Sequence, residues 1–205
     1  MKENDIYSEL SSIRNLMERS TKFISLSGLS GILAGIYALV GAFLVLRLIS
    51  PGSMTELGRV NVGASSILKP VFLIALTVLI LSLVTGLGLT IRQANKKGQN
   101  VWNPVSKRLL VNMAVPLIAG GLFILILIQR EYYEIIAAAC LIFYGLALIS
   151  ASNYTFSDVK WLGLCELFLG LIAALLPAYG LIFWSIGFGI LHILYGSIMH
   201  FKYNQ

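Results

Sequence analysis

A chain of 205 residues that is 58% hydrophobic and only 12% charged lacks the polar surface of a water-soluble domain, where about 25% of residues are charged. Its formal charge of +6, from 15 Lys+Arg against 9 Asp+Glu, would suggest nucleic acid in a soluble protein. Here the cations cluster beside apolar runs, which is a topology signal and argues against a nucleic-acid partner.

Residues 1–22 form the first element. Ile6, Leu10, Ile13 and Met17 recur at spacings of 4, 3 and 4, one face of an amphipathic helix. Glu9, Arg14, Glu18 and Arg19 occupy the rest of its circumference. Such a helix lies on the cytoplasmic membrane surface or on its own bundle; the sharper reading is a coiled-coil contact with a partner protein or a second copy. No cleavable signal peptide is expected. The first apolar run follows four acids and is longer than a signal peptide's apolar core of roughly 7–15 residues.

Residues 23–205 read as one transmembrane domain. A spanning helix needs about 20 mostly apolar residues, and six runs qualify: 23–48, 70–91, 109–128, 132–151, 160–177 and 180–200. The third and fourth are separated by Gln129, Arg130 and Glu131, the fifth and sixth by Pro177-Ala178-Tyr179-Gly180. Tight polar or Pro/Gly turns of this kind join helical hairpins. The fold class is therefore all-α: a polytopic membrane bundle of about six helices with an N-terminal amphipathic helix. With the N-terminus inside, the inner segments hold 11 cations (Lys2, Arg14, Arg19, Lys22, Arg92, Lys96, Lys97, Lys107, Arg108, Lys160 and Lys202) and the outer segments 4 (Arg47, Arg59, Lys69 and Arg130). This asymmetry predicts a cytoplasmic (inner) membrane protein with both termini cytoplasmic.

The first span carries Gly28, Gly31, Gly35, Ala38 and Ala42 at spacings of 3, 4, 3 and 4. Small stripes let membrane helices approach closely; this one suits packing within the chain, with a dimer seam as the alternative. The loop from Arg92 to Arg108 has five cations, no acid and Trp102. It marks the cytoplasmic side and could also attract anionic lipid. Phe143-Tyr144-Gly145 in the fourth span echoes Leu194-Tyr195-Gly196 in the sixth, a hint of duplicated hairpins.

Glu166 is the one acid well inside an apolar run, and His192 the one histidine there. An ionised carboxylate at the centre of a span costs about 2.5–3.5 kcal/mol on insertion scales, so it faces protein or water. A hairpin turning at residue 179 places residues whose numbers sum to 358 at equal depth, as 166 and 192 do. Glu166 also lies on a stripe with Gly163, Gly170, Ala173 and Pro177, and His192 on one with Ser185, Gly189, Gly196 and Met199. If the two stripes meet, the carboxyl meets the imidazole. Tyr195, next along from the histidine, is placed to join them. The pair is either a proton- or ligand-handling site or a structural polar clamp.

Ser25, Ser27, Ser30, Ser82, Thr85, Asn112 and Ser150 fall with the pair in the inner halves of the spans, as they would around a cavity open to the cytoplasm. Cys140 and Cys165 both lie in apolar runs, which argues against a disulfide framework. No metal-ligand spacing, phosphate-binding loop or nucleophile motif occurs, so neither a cofactor nor a catalytic residue is expected.

The stretches SSIRNLMERSTKFISLSGLSGILAGIYALVGA and WLGLCELFLGLIAALLPAYGLIFWSIGFGILHILYGSIMHFKY together resemble small six-span membrane proteins of Bacteroidota that carry no assigned activity. The hairpin with Trp161, Gly163, Gly170, Pro177, Gly187 and Gly196 also resembles the repeats of the HdeD-like acid-resistance membrane proteins, over the last quarter of the chain. The amphipathic N-terminus departs from the HdeD pattern. The resemblance implies a six-span bundle and transfers no mechanism. Three functions are open at this point: a small transporter, channel-like or proton-responsive protein using Glu166 and His192; a scaffold or sensor subunit binding a partner through its N-terminal helix; and a membrane enzyme acting on lipid.

Overall fold

The computed structural model describes residues 27–48, 65–96, 98 and 101–203. The expected N-terminal helix over 1–22 and Ser25 lie outside the described residues. The fold is an all-α bundle. Its elements are α1 (Gly28–Leu48), α2 (Ser65–Lys96), α3 (Pro104–Gln129), α4 (Ile136–Ser152), α5 (Asp158–Leu175) and a last, continuous helix over 180–203. That last helix has three parts: α6 (Gly180–Trp184), a π-helical segment (Ser185–Leu191) and α7 (His192–Tyr203). Single 3₁₀ turns, Tyr133–Ile135 and Pro177–Tyr179, lead into α4 and α6.

Local chemistry sets the boundaries. Asn103 caps α3: its Oδ1 accepts from Ser106 N–H at 2.8 Å, and Ser106 Oγ accepts from Asn103 N–H at 3.0 Å. Pro104 fills the first helical position, where no N–H is needed. At the other end of α3, Glu131 N–H donates to Ile128 O and Tyr132 N–H to Leu127 O, the paired bonds of a Schellman motif. Glu131 takes the left-handed position (φ 62°) that glycine normally fills, at a cost of about 1–2 kcal/mol. Both the chain reversal and its tightness follow from that motif.

Among the described residues, five helical stretches are long and apolar enough to cross a membrane: Gly28–Leu48, Leu68–Lys96, Pro104–Gln129, Tyr133–Ser152 and Pro177–Lys202. The remaining helix, α5, has 18 residues, roughly 27 Å at 1.5 Å per residue, but carries Asp158, Lys160 and Glu166. Its first acid is paired, Lys202 Nζ donating to Asp158 Oδ2 at 2.8 Å. This ties the end of the chain to the start of α5.

The helices pack in a pattern that the order of hairpins does not give. α1 packs on α2 and along the π segment and α7; α4 lies between α3 and α5 and also meets α6. The closest approaches use glycine. A Cβ on Gly145 of α4 would stand 2.7 Å from both Gly163 O and Leu167 N of α5. A Cβ on Gly196 of α7 would stand 2.6 Å from Gly28 O and Ile32 N of α1. Neither position has room for a side chain. Gly28, Gly31 and Gly35 all face the last helix, so the first span's stripe is used inside the chain and is not free to form a dimer seam.

The stripes of spans five and six were expected to meet each other, and they do not. Gly163 and Gly170 face α4, whereas Gly189 and Gly196 face α1. For Gly189 the physical reason is the π segment. Its wider turn shifts the helical phase between Ser185 and His192, so a spacing read at 3.6 residues per turn puts the wrong glycine opposite α5. Gly187 is the residue that faces Glu166.

Candidate polar site between α4, α5 and the last helix

Two apolar clusters bracket one polar layer. Leu148, Phe156, Val159, Leu162 and Met199 form the first, with Tyr144, Leu191 and Tyr195 packed against it. Ala138, Leu141 and Ala173 form the second, with Leu169, Phe183 and Phe188. Glu166 lies between the residues that α5 contributes to each. It sits on the same face of α5 as Gly163 and Gly170, which press against α4, so its side chain enters the bundle.

Glu166 is completely buried, at 0% exposure. Its Oε1 is 3.3 Å from His192 Nδ1. Its Oε2 occupies the space that a Cβ on Gly187 would need, so only glycine at 187 admits the carboxyl there. Neither carboxyl oxygen has a hydrogen-bond partner. The short separation from the imidazole is compatible with this, because the nearer acceptor for Nδ1 is Gly187 O at 3.0 Å and the N–H is directed there.

That carbonyl also fixes the tautomer. A carbonyl only accepts, so Nδ1 carries a hydrogen. His192 Nε2 is 2.8 Å from Tyr144 Oη. In the neutral ring Nε2 accepts from the tyrosine hydroxyl; in the imidazolium Nε2–H donates to the same oxygen. The imidazole can therefore gain or lose a proton while keeping both bonds. Its faces are apolar: Phe188 stacks on it at 5.8 Å and 19°, and the Tyr144 ring stands 5.4 Å away. Phe188 in turn meets Trp184 in a tilted contact, at 5.2 Å and 40°.

The structure thus brings Glu166 and His192 together and gives the histidine's far nitrogen to Tyr144. Tyr195, read from the sequence as placed to join the pair, packs with Tyr144 against the same apolar cluster. Tyr144 was visible in the sequence only as half of the Tyr-Gly echo. Its glycine, Gly145, fixes α4 against α5, and the preceding tyrosine is thereby set toward the last helix.

Among the described residues, Ser30, Thr85 and Asn112 of the inner halves bond elsewhere. Ser30 Oγ donates to Ser27 O, Thr85 Oγ1 to Leu81 O and Asn112 Nδ2 to Arg108 O. These side chains satisfy themselves on their own helices. Ser82 and Thr85 are on α2 and Asn112 on α3, two helices that pack against different neighbours. Among the described residues no group of three His, Cys, Asp or Glu side chains is placed to hold a metal.

No protein-family model matches this sequence, and neither a curated protein nor a solved structure is detectably similar to it.

Removing the Tyr144 hydroxyl leaves a buried imidazole nitrogen without its partner. Tyr144→Phe is expected to lower stability by about 0.6–1.7 kcal/mol, the usual worth of a side-chain hydrogen bond between membrane helices, in reversible unfolding from mixed micelles. The exposed Tyr179→Phe should leave stability within about 0.5 kcal/mol. Equal stability of Tyr144→Phe and the parent would show that the bond contributes nothing.

Proposed function

We propose that this chain is a proton-responsive protein of the cytoplasmic membrane, crossing it six times with both termini inside, and that Glu166 and His192 together hold its exchangeable proton. One observation carries the reading: a wholly buried carboxyl whose two oxygens accept no hydrogen bond. A structural clamp would use those oxygens. Here the imidazole is already held without them, by Gly187 and Tyr144, and the carboxyl is left over. What glutamate brings to this position, beyond what glutamine would bring, is a charge that can be gained and lost. In an apolar enclosure each change of charge is felt strongly by its neighbours, because little water screens it.

The layer above and below is apolar, with Leu162 and Met199 on one side and Leu141 and Phe188 on the other. That arrangement favours a buried switch over a continuous pore. Counting α5 with the five apolar stretches supports a reading of six crossings. Its interior carboxyl is enclosed by protein, which removes the main objection to placing it in lipid.

Glu166→Gln tests the proton. Reconstituted in vesicles, the parent is expected to show a carboxyl band in infrared difference spectra taken between about pH 5 and pH 8, the range in which imidazole titrates. The variant should fold normally and lose that band. A parent without the band, or a variant that keeps it, would remove this function. The orientation has its own test, in a Cys140→Ala/Cys165→Ala background. An impermeant thiol reagent added outside is expected to label Glu131→Cys in the α3–α4 turn and to spare Asn153→Cys between α4 and α5. The reverse pattern would invert the topology.

A further inference from the structure

We infer that the π segment Ser185–Leu191 is the conformational element that the Glu166–His192 proton operates, with Gly187 as the positioning residue that joins them. This inference rests on the proton-holding reading above. π-helical turns are rare, and they concentrate at functional sites because an extra residue is held in a register the backbone would otherwise leave. This one ends directly at His192. Its Gly187 carbonyl accepts from the His192 side chain, five residues on, and its Gly187 Cα lies against the Glu166 carboxyl. The same residue therefore touches both members of the pair and belongs to the unusual backbone.

Two acceptors compete for one N–H. Nδ1 is 3.0 Å from Gly187 O and 3.3 Å from Glu166 Oε1. With the carboxyl protonated, both acceptors are neutral, and the carbonyl keeps the N–H. When the carboxyl gives its proton to solvent, it becomes the stronger acceptor, since a charge-assisted bond is roughly twice as strong as a neutral one. The N–H turns to the carboxylate and Gly187 O loses its side-chain partner. The released carbonyl is satisfied most simply by the backbone N–H four residues on, which is the α-helical register. The segment is thus held π-helical when Glu166 is protonated and relaxes toward α-helix as pH rises.

The outer end is the part that moves. α7 is fixed by the Gly28–Gly196 contact and by Lys202 and Asp158, whereas α6 is a five-residue stub beyond the π segment that rests on α4 and α5. Absorbing one residue turns that stub by about 100°, one residue's share of a 3.6-residue turn. Trp184, in tilted ring contact with Phe188, turns with it. Among the described residues, Tyr144 of α4 bonds the imidazole, and Tyr195 of α7 packs against the same apolar cluster as Tyr144. On α1, which meets this stretch through Gly31 and Gly35, the described titratable side chains are Tyr37 and Arg47, neither hydrogen-bonded to the pair.

The test follows two signals in one sample of the full chain in lipid nanodiscs. In a Trp102→Phe/Trp161→Phe/His200→Asn background, Trp184 fluorescence reports the stub and ¹⁵N resonances of the remaining histidine report the ring. The expected result is a change in Trp184 emission with the same pH midpoint as the imidazole signals, abolished by Glu166→Gln. Imidazole signals that titrate while Trp184 and the ¹³C carbonyl resonance of Gly187 stay constant would overturn the inference and leave the proton site standing. Imidazole signals that do not respond to pH would overturn both.

Discussion

A carboxyl in the middle of an apolar helix must be walled off from lipid by other parts of the same chain, and most of the packing in this bundle serves that requirement. α5 cannot lie against the bilayer on the Glu166 side, so it is pressed onto α4 through Gly145, Gly163 and Gly170. The last helix closes the remaining side, and Gly187 gives it the clearance to do so. It is held in turn by α1, through Gly28, Gly31, Gly35 and Gly196. Each glycine removes a side chain where a backbone passes, and each such contact moves a wall of the enclosure inward. Without those approaches the carboxyl would face lipid, where an ionisable group is costly.

The enclosure also explains the division of labour among the helices. α2 and α3 show broad apolar surfaces, with Phe72, Leu73, Val84, Val111 and Val115 all exposed. In a bilayer that is the expected face for lipid, and these helices carry no member of the polar layer. α4, α5 and the last helix carry all of it. Interfacial side chains mark the boundaries: Trp161 and Tyr132 are exposed at helix ends, and Lys107 Nζ stands 5.5 Å over the Trp102 ring. Amphipathic rings and long cations settle at that level of a membrane.

Much of this was legible in the sequence, for separable reasons. Apolar run length finds helices, because a spanning helix has to match a fixed thickness, and the six runs correspond to α1 through the last helix. Depth along the hairpin was legible too: residues equidistant from the Pro177–Tyr179 turn do lie near one another, which is how 166 and 192 come to be level. Helical phase was not legible. It assumes 3.6 residues per turn throughout, and Ser185–Leu191 departs from that, so Gly189 turned out to face Leu39 and Gly187 to face Glu166. Nor could hairpin order reveal that α5 would pack chiefly on α4, since both partners offer small residues and only the three-dimensional fit decides between them. Tyr144 was hidden for a related cause. Its position next to Gly145 has meaning only once the α4–α5 contact is known.

On this reading the Glu166 carboxyl and the His192 imidazole are energetically coupled inside one buried layer. A double-mutant cycle of Glu166→Gln and His192→Phe, read from reversible unfolding in bilayer-like micelles, measures that coupling directly. Side chains in contact give interaction energies of about 0.5–3 kcal/mol, and a value in that range, larger where the carboxyl is ionised, is the expected result. Strictly additive effects at every pH would contradict the account.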